Sequence, residues 1–358
     1  MHWPWILIAT APCLMLLLSV LYSENLHEAR YSIEKRVPYI VFPLVLGSIP
    51  KLNRMQVLDV LRWTTLICII SIIVDLGLAF SRYLDTKNTD VFFWDNLAKE
   101  FTFHPSYLSI FILFCVTFLF IDFQESGRRN KLIFFLKIIF LSVTVILLSS
   151  KLFVVLLFIL LASFGIISIR KRSGRIAFLI VATISLGLTL QTHYVRERFN
   201  SIKSFHYKLD DPPATFNELT IRFALIDCSV DIISRFPFFG VGVGDTNDEL
   251  DKTYRKFDYK FGYLDKQNPH NEYLSMFVTI GLIGFALFLL SLLAPLFISI
   301  RQKNYLYTFL LAIFMISFLV ESTLERQKGI VLFYLFGSLL LFHPYTIFNK
   351  NQETSPSR

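Results

Sequence analysis

The sequence predicts an all-α fold, a polytopic bundle of transmembrane helices with one long outer segment. Hydrophobic residues make up 54% of the 358 residues and charged residues only 17%, whereas soluble domains carry about 25% charged residues. Apolar runs long enough to cross a bilayer recur along the chain. Basic residues gather in the short loops between these runs, which is typical of loops on the cytoplasmic side of a membrane.

The apolar runs predict about ten spans, because each has roughly the length that a helix needs to cross the hydrocarbon core. One of the ten, Val37–Ile49, is short and contains two prolines. Helices inside a bundle tolerate proline, so we count this run as a span. The other runs are Trp3–Leu21, Trp63–Phe80, Pro105–Ile121, Leu132–Ser149, Leu152–Ile169, Ile176–Leu190, Tyr273–Ile300, Tyr305–Val320 and Ile330–Phe342.

Short basic loops predict the orientation of the chain. If the spans alternate, four such loops fall on one side, which is then the cytoplasmic side, together with both termini. These loops explain the net charge of +8, so nucleic acid is not expected as a partner. The predicted segments are N-terminal transmembrane helices at 1–192, an outer segment at 193–272, C-terminal transmembrane helices at 273–345 and a cytoplasmic tail at 346–358.

The outer segment is too long for a simple connector and is rich in apolar residues. Apolar residues between Glu218 and Phe236 recur at spacings of four and three, which predicts an amphipathic helix that ends before Pro237. We expect its apolar stripe to lie at the membrane interface or to pack on the bundle. The stripe consists of Leu219, Phe223, Ile226, Val230 and Ile233.

Three glycines, Gly240, Gly242 and Gly244, follow this helix at alternate positions. Such glycines let the backbone approach a ligand closely, and successive amides can form a nest for an anion. A flexible turn is an equally good interpretation. The pattern matches neither the dinucleotide fingerprint nor a Walker loop.

His270 lies in the sequence Asn-Pro-His-Asn-Glu-Tyr-Leu, directly before a predicted span. This position predicts that the imidazole lies at the outer membrane surface. Gly281 and Gly284 within the span predict close packing against another helix. Glu321 and Glu325, near the outer end of a later span, are candidates to line a substrate path.

The four cysteines form no CxxC pair, so the sequence predicts no metal or redox motif. We expect them to be buried thiols that pack as small hydrophobic side chains. They are Cys13, Cys68, Cys115 and Cys228.

Taken together, these motifs resemble the O-antigen ligase/polymerase (Wzy_C-type) family of membrane glycosyltransferases. Two departures stand out. Ser149-Ser150-Lys151 stands where the family often has Ser-Arg, and the family often has more spans at its N-terminus, so a truncated start is an alternative. The resembling elements are His104-Pro105-Ser106-Tyr107, Ile221-Arg222-Phe223, Arg235-Phe236-Pro237, Gly240–Gly244, Pro269-His270-Asn271-Glu272-Tyr273-Leu274 and the Gly281/Gly284 pair.

The resemblance implies a GT-C-like bundle in the bacterial inner membrane with its active site facing the periplasm. It implies transfer of a glycan from undecaprenyl diphosphate to a hydroxyl of lipid A–core, as in the ligases. Polymerases of the same family, which extend another carrier-linked glycan, are the alternative. A lipid-glycan flippase or transporter is a weaker one, because charged residues within the spans are sparse. Membrane lipid is an expected partner, and no cofactor or metal is implied.

The resemblance also implies roles for individual residues. His270 would act as the general base on the acceptor hydroxyl, since histidine changes protonation near neutral pH. Arg222 would stabilise the departing diphosphate. The residues expected to bind the diphosphate or the glycan are Arg198, Arg196, Lys151, Gly240, Gly242, Gly244, Asn271, Glu272, His104 and Tyr107.

Overall fold

The structure is a computed structural model that describes residues 3–99, 104–125, 131–168 and 218–344, with a few residues between 171 and 187. Within these residues every regular element is a helix. The protein is therefore an all-α membrane protein, as its composition predicts.

Four helices in the described ranges are long and apolar enough to cross a membrane. They are Trp3–Tyr22, Arg54–Thr86, Pro105–Gln124 and Glu272–Arg301. Shorter apolar helices are Lys151–Ile167, Tyr305–Ser317 and Gln327–Phe342. The total of about ten spans remains a prediction. Most of the span expected at Ile176–Leu190 and the whole cytoplasmic tail lie outside the described residues.

The helices are numbered here in chain order. Short 3-10 turns lie at Val20–Tyr22, Thr89–Phe92 and Thr323–Glu325. The helices are α1 (Trp3–Ser19), α2 (Leu26–Arg36), α3 (Pro38–Ser48), α4 (Arg54–Thr86), α5 (Trp94–Leu97), α6 (Pro105–Glu125), α7 (Lys131–Leu147), α8 (Lys151–Ser168), α9 (Glu218–Arg235), α10 (Thr246–Lys256), α11 (Lys260–Leu264), α12 (Glu272–Arg301), α13 (Tyr305–Ser317) and α14 (Gln327–Phe342).

The residues pack into two compact units. The first consists of Met1–Lys51 and Ser201–Pro344, and the second of Leu52–Asn200 and Tyr345–Arg358. This grouping follows packing, whereas the segments predicted from the sequence follow membrane topology. Those segment boundaries remain predictions.

Helix α12 lies at the centre of the first unit and packs against α1, α9 and α13. The sequence predicts one continuous span here, but Gly281 interrupts the helix with φ 61° and ψ −169°. A break of this kind leaves backbone groups without their helical partners. Another segment of the chain must therefore supply hydrogen bonds to them, since unpaired backbone groups are costly away from water.

The glycine segment, residues 237–244, supplies these bonds. The amides of Val241 and Gly242 donate to the carbonyl oxygens of Val278 and Thr279 at 2.9 and 3.0 Å. In the reverse direction, the Leu282 amide donates to the Pro237 carbonyl at 2.9 Å. The close approach predicted from Gly281 is therefore present, but its partner is the glycine segment and not another helix.

Helices α9, α10 and α11 enclose a hydrophobic core of their own, to which α12 contributes Val278. The prediction of a helix that ends before Pro237 is confirmed, since α9 ends at Arg235. Phe223 and Val230 of the predicted apolar stripe are 41% and 51% exposed, so the whole stripe does not pack on the bundle, and its position at the membrane interface stays a prediction. The face of α9 that packs against α10 and α12 is formed by other residues, several of them small. They are Thr220, Ala224, Leu225, Cys228, Ser229 and Ile232.

All four cysteines are buried and unpaired, as the sequence predicts. Burial raises the pKa of the Cys228 thiol, in the core beneath α9, to about 12. A thiol with such a pKa stays protonated and is a poor nucleophile. Cys228 therefore acts as a packing residue.

In the second unit, α6 packs against α4, α7 and α8. Aromatic rings fill the contact: Phe120 stacks on Phe164, and Phe123 on Phe134, each with ring centroids 3.9 Å apart. Arg62 forms an ion pair with Asp122 at 3.0 Å. These contacts fix the helices of this unit to one another.

Candidate functional site

His270 lies in a tight turn directly before α12, in the first unit. Its φ of 45° is in the left-handed region, and the Asn268 side chain stabilises the turn by accepting the His270 amide at 3.0 Å. The imidazole Nδ1 lies 3.3 Å from Oε2 of Glu321, and Nε2 lies 2.9 Å from Oε1 of Gln267. Both ring nitrogens are thus held in place by side chains.

Arg222, on α9, contacts the same carboxylate. Its Nη2 lies 3.5 Å from Oε1 of Glu321. Its Nη1 donates to the carbonyl of His270 at 3.5 Å and also to the carbonyl of Val320. The guanidinium therefore ties α9 to the turn of His270 and to the segment that carries Glu321.

Arg222, Glu321 and His270 form one contiguous group, with the carboxylate in the middle. Their side chains are 25%, 13% and 31% exposed, so substrate could reach the arginine and the histidine more readily than the glutamate. A carboxylate that accepts from Nδ1 orients the ring and leaves Nε2 to exchange a proton with a substrate. In this structure Oε1 of Gln267 occupies the position next to Nε2.

The residues after His270 fasten α12 to the outer turn, which we define as residues 318–325. Asn271 caps α12 by accepting the Leu274 amide at 3.1 Å, and its Nδ2 donates to the carbonyl of Leu319 at 3.2 Å. Glu272 is fully buried, and its carboxylate accepts the Leu324 amide at 2.6 Å. The sequence predicts glycan-binding roles for Asn271 and Glu272, whereas these contacts hold the outer turn against His270.

Glu325 also joins the two segments. Its carboxylate accepts a hydrogen bond from Nδ2 of Asn268 at 3.0 Å and another from the Ser275 hydroxyl. Of the two carboxylates suggested for a substrate path, Glu321 thus contacts the histidine and Glu325 supports its turn.

The last four amides of the glycine segment, those of residues 241–244, donate hydrogen bonds within the protein. In addition to the two bonds to α12, the Val243 amide donates to the Ser19 hydroxyl and the Gly244 amide to the Ser23 hydroxyl, both at 3.1 Å. An anion nest needs amides that point at the ligand. The amides of Gly242 and Gly244 thus dock this segment on α12 and on Ser23, and the binding role expected of Gly240, Gly242 and Gly244 stays a prediction.

The remaining predicted residues belong to the second unit or are not described. His104, Tyr107 and Lys151 belong to the second unit. The His104 carbonyl accepts the Tyr107 amide at 2.9 Å where α6 begins, and the His104 ring packs at 5.6 Å from the Tyr107 ring. Lys151 is the first residue of α8. Arg196 and Arg198 lie outside the described residues.

Sequence reasoning missed two contacts of the histidine. Gln267 carries no signal that distinguishes it from other polar residues of the outer segment. Glu321 does carry one, since an acidic residue close to the end of a span is costly in lipid and needs a partner. Its pairing with His270 could not be read from the sequence, because 51 positions separate them.

Comparison with known proteins supports the family assignment. Residues 135–289 match the Wzy_C family, described as O-Antigen ligase. A protein of Haemophilus influenzae, described only as an uncharacterized protein, is 30% identical over 135 residues. The match covers 35% of this chain and 32% of the relative, so the chain spans about a third of that protein's length. The matched segment, residues 135–289, includes Arg222 and His270, and through it the chain contains a domain of the O-antigen ligase/polymerase family.

Proposed function

We propose that the protein is a membrane glycosyltransferase of surface polysaccharide biosynthesis, and specifically an O-antigen ligase. It would move a glycan from undecaprenyl diphosphate to a hydroxyl of lipid A–core at the periplasmic face of the inner membrane. The observation that carries the proposal is the contiguous group Arg222–Glu321–His270. A base oriented by a carboxylate lies here beside a cation, in a chain that matches the O-antigen ligase family.

The proposed reaction begins at Nε2 of His270. The acceptor hydroxyl displaces Gln267 and gives its proton to Nε2 as its oxygen attacks the anomeric carbon of the donor. The bond between that carbon and the diphosphate breaks, and undecaprenyl diphosphate leaves with the bonding electrons. Glu321 holds the ring in position and stabilises the imidazolium that forms.

Arg222 would stabilise the charge on the departing diphosphate. A guanidinium presents five N–H donors, so its contacts with Glu321 and Val320 are compatible with a further contact to phosphate oxygens. Arg198 and Arg196, for which the sequence suggests the same role, would add positive charge to this position. The proposal needs neither metal nor nucleotide.

A reconstituted transfer assay tests the proposal. The reaction contains undecaprenyl-diphosphate-linked glycan, lipid A–core acceptor and a chelator. Since His270 has a positive φ, His270→Asn is a milder replacement than His270→Ala, because asparagine tolerates the left-handed region. Arg222→Gln removes the cation. Matched controls are His27→Asn and Arg30→Gln, which change exposed residues of α2.

We expect transfer to lipid A–core in the wild type and in both controls, with or without chelator, and a loss of transfer in His270→Asn and Arg222→Gln. Carrier-linked products of increasing length, with nothing on lipid A–core, would make the protein a polymerase. If the folded wild type transfers nothing, the proposal is wrong, and a transport function would be tested next.

A further inference from the structure

The first unit contains a cavity of about 480 Å³ beside the candidate site. Its walls come from α2, from the loop before α12, and from the chain at the start of α14. Asn268 lines the cavity and also accepts the amide of His270 at 3.0 Å. The cavity therefore adjoins the turn that carries the proposed base.

Basic side chains dominate the charge of this cavity. Lys35, Arg36, Lys266 and Arg326 line it against a single lining carboxylate, that of Glu325. Asn268 and Ser275 already donate hydrogen bonds to this carboxylate. None of the four basic residues forms an ion pair with another described residue. The cavity thus carries an excess of positive charge.

Arg36 is the most buried of the four, with 7% of its surface exposed. Its Nη1 donates to the Ser32 carbonyl at 3.1 Å, but its Nε has no hydrogen-bond partner in the described part of the chain. A buried charged donor without a partner is costly, so a ligand that accepts from Nε would stabilise this arrangement.

The pKa of Lys35 is affected by burial and by the neighbouring positive charge. Burial lowers its pKa, and the neighbouring charge of Arg36 lowers it further. The charged amine lies 4.4 Å from the centre of the Tyr31 ring. A bound anion would offset the repulsion between Lys35 and Arg36. Lys266 and Arg326 are exposed, so an anion arriving from solvent would meet them before the buried pair.

We propose that this cavity binds an acidic group, a phosphate or a carboxylate, on the glycan acceptor. The group would lie apart from the carrier diphosphate, because Arg222, which would bind that diphosphate, does not line the cavity. The assignment to the acceptor rests on the proposed function, because His270 is there the base that acts on the acceptor hydroxyl. The cavity would hold the acidic group of the acceptor while the hydroxyl of the acceptor reaches Nε2 of His270.

The first experiment measures binding and does not depend on transfer. The full chain in detergent is titrated with glucose 6-phosphate, glucuronic acid, glucose and inorganic pyrophosphate by calorimetry. The test variant is Lys266→Gln/Arg326→Gln, whose exposed positions are not needed for packing. The matched control is Lys252→Gln/Arg255→Gln, which removes the same two charges from the exposed surface of α10.

We expect glucose 6-phosphate and glucuronic acid to bind the wild type and the control, and glucose not to bind. The affinity should fall about tenfold or more in Lys266→Gln/Arg326→Gln, since charge-assisted hydrogen bonds are lost, and stay unchanged in Arg222→Gln. The proposal would be overturned if Lys266→Gln/Arg326→Gln bound the acidic sugars as tightly as the wild type. It would also be overturned if the control lost as much affinity as this variant. Binding that is abolished only by Arg222→Gln would also overturn it. If the protein binds pyrophosphate but neither acidic sugar, the anion belongs to the carrier and the proposal is wrong.

The second experiment compares transfer to phosphorylated and dephosphorylated lipid A–core. For Lys266→Gln/Arg326→Gln we expect a higher KM for the phosphorylated acceptor only. An unchanged KM for both acceptors, or a higher KM for the carrier-linked donor, would contradict the acceptor assignment. If acidic sugars bind as expected but the wild type transfers nothing, the proposed function fails while the anion site itself stands.

Discussion

The carboxylate of Glu321 lies 3.3 Å from Nδ1 of His270, although the two residues are 51 positions apart in the chain. His270 precedes α12, and Glu321 follows α13, so the turns at the start of α12 and the end of α13 bring them together. Arg222 reaches the same carboxylate from α9. A histidine paired with a carboxylate in this way has a fixed orientation and a defined proton position.

Glu321→Gln tests this pairing directly. The amide keeps the shape of the side chain but cannot stabilise an imidazolium. We expect kcat for glycan transfer to fall by roughly a hundredfold or more, with little change in KM, because the substrate would not contact Glu321. Steady-state kinetics with lipid A–core as the varied substrate measures both constants.

Glu325→Gln serves as the comparison, since this carboxylate contacts Asn268 and Ser275 and not the imidazole. We expect it to retain most of its kcat. If both variants lose kcat equally, or if Glu321→Gln changes KM alone, the carboxylate does not assist His270 in the reaction.

Asn271→Ala separates helix capping from glycan binding. The variant loses the cap of α12 and the bond to the Leu319 carbonyl, so we expect a loss of stability of about 1 kcal/mol. Asn271→Asp keeps an acceptor for the Leu274 amide, so this variant should recover most of the lost stability. The Tm values of the wild type and of both variants, measured by thermal unfolding in detergent, provide the comparison. A variant with unchanged Tm that no longer transfers glycan would instead support the binding role predicted from the sequence.

Gly240→Ala tests the docking of the glycine segment on α12. Gly240 has φ 71°, and an added Cβ would lie 2.6 Å from the Gly281 amide nitrogen and the Thr279 carbonyl oxygen. We expect a destabilisation of at least about 2 kcal/mol, from backbone strain together with the clash.

The matched control is Gly337→Ala in α14, where an added Cβ meets nothing within 4 Å. There we expect no loss, or a gain of up to about 1 kcal/mol, because alanine favours the helix. Chemical unfolding in detergent measures the free energy of unfolding of Gly240→Ala and Gly337→Ala relative to the wild type. Equal stability of both variants would mean that the glycine segment can leave α12 at little cost.

The ion pairs between α9 and α10 predict a dependence of stability on pH. The Lys256 amine donates to Asp231 at 2.7 Å, and this hydrogen bond is the main cause that holds the pKa of Asp231 below its usual 3.8. Because the folded pKa is the lower one, the pair stabilises the fold above pH 3.8, and the contribution is lost as the pH falls through the folded pKa.

Asp231→Asn should therefore be less stable than the wild type near neutral pH, by about 0.5 kcal/mol for a pair at the surface. The difference should disappear in acid below the lowered pKa. Unfolding curves of both proteins across the acid range measure it. A difference that persists at all pH values would point to altered packing and not to lost charge.

The apolar runs and the motif residues were accessible from the sequence. Length and hydropathy locate helices such as α6 and α13, because burial in lipid demands continuous apolar surface whatever the neighbours are. His270 and Arg222 stand out because they occur in short motifs that resemble a known family. Pro237 predicts the end of α9, since proline cannot continue a helix.

Tertiary packing decided the inward face of α9. The helix has apolar residues on more than one side, and the large ones predict a stripe that includes Phe223 and Val230. The structure buries Ala224 and Cys228 instead, because small side chains admit the neighbouring helices α10 and α12. Hydrophobic periodicity reports which residues can be buried, but the partner helices determine which of them are.

The sequence by itself thus determined a helical membrane protein with a histidine and an arginine in the long segment between two groups of apolar runs. Only the tertiary structure decided that Glu321 joins them, that Asn271 and Glu272 fasten α12 to the outer turn, and that the glycine segment completes the hydrogen bonds of a broken helix. The reason is physical. Helix formation and membrane insertion depend on neighbouring residues along the chain, whereas the pairing of side chains and open backbone groups depends on distant segments that meet only after the helices have packed.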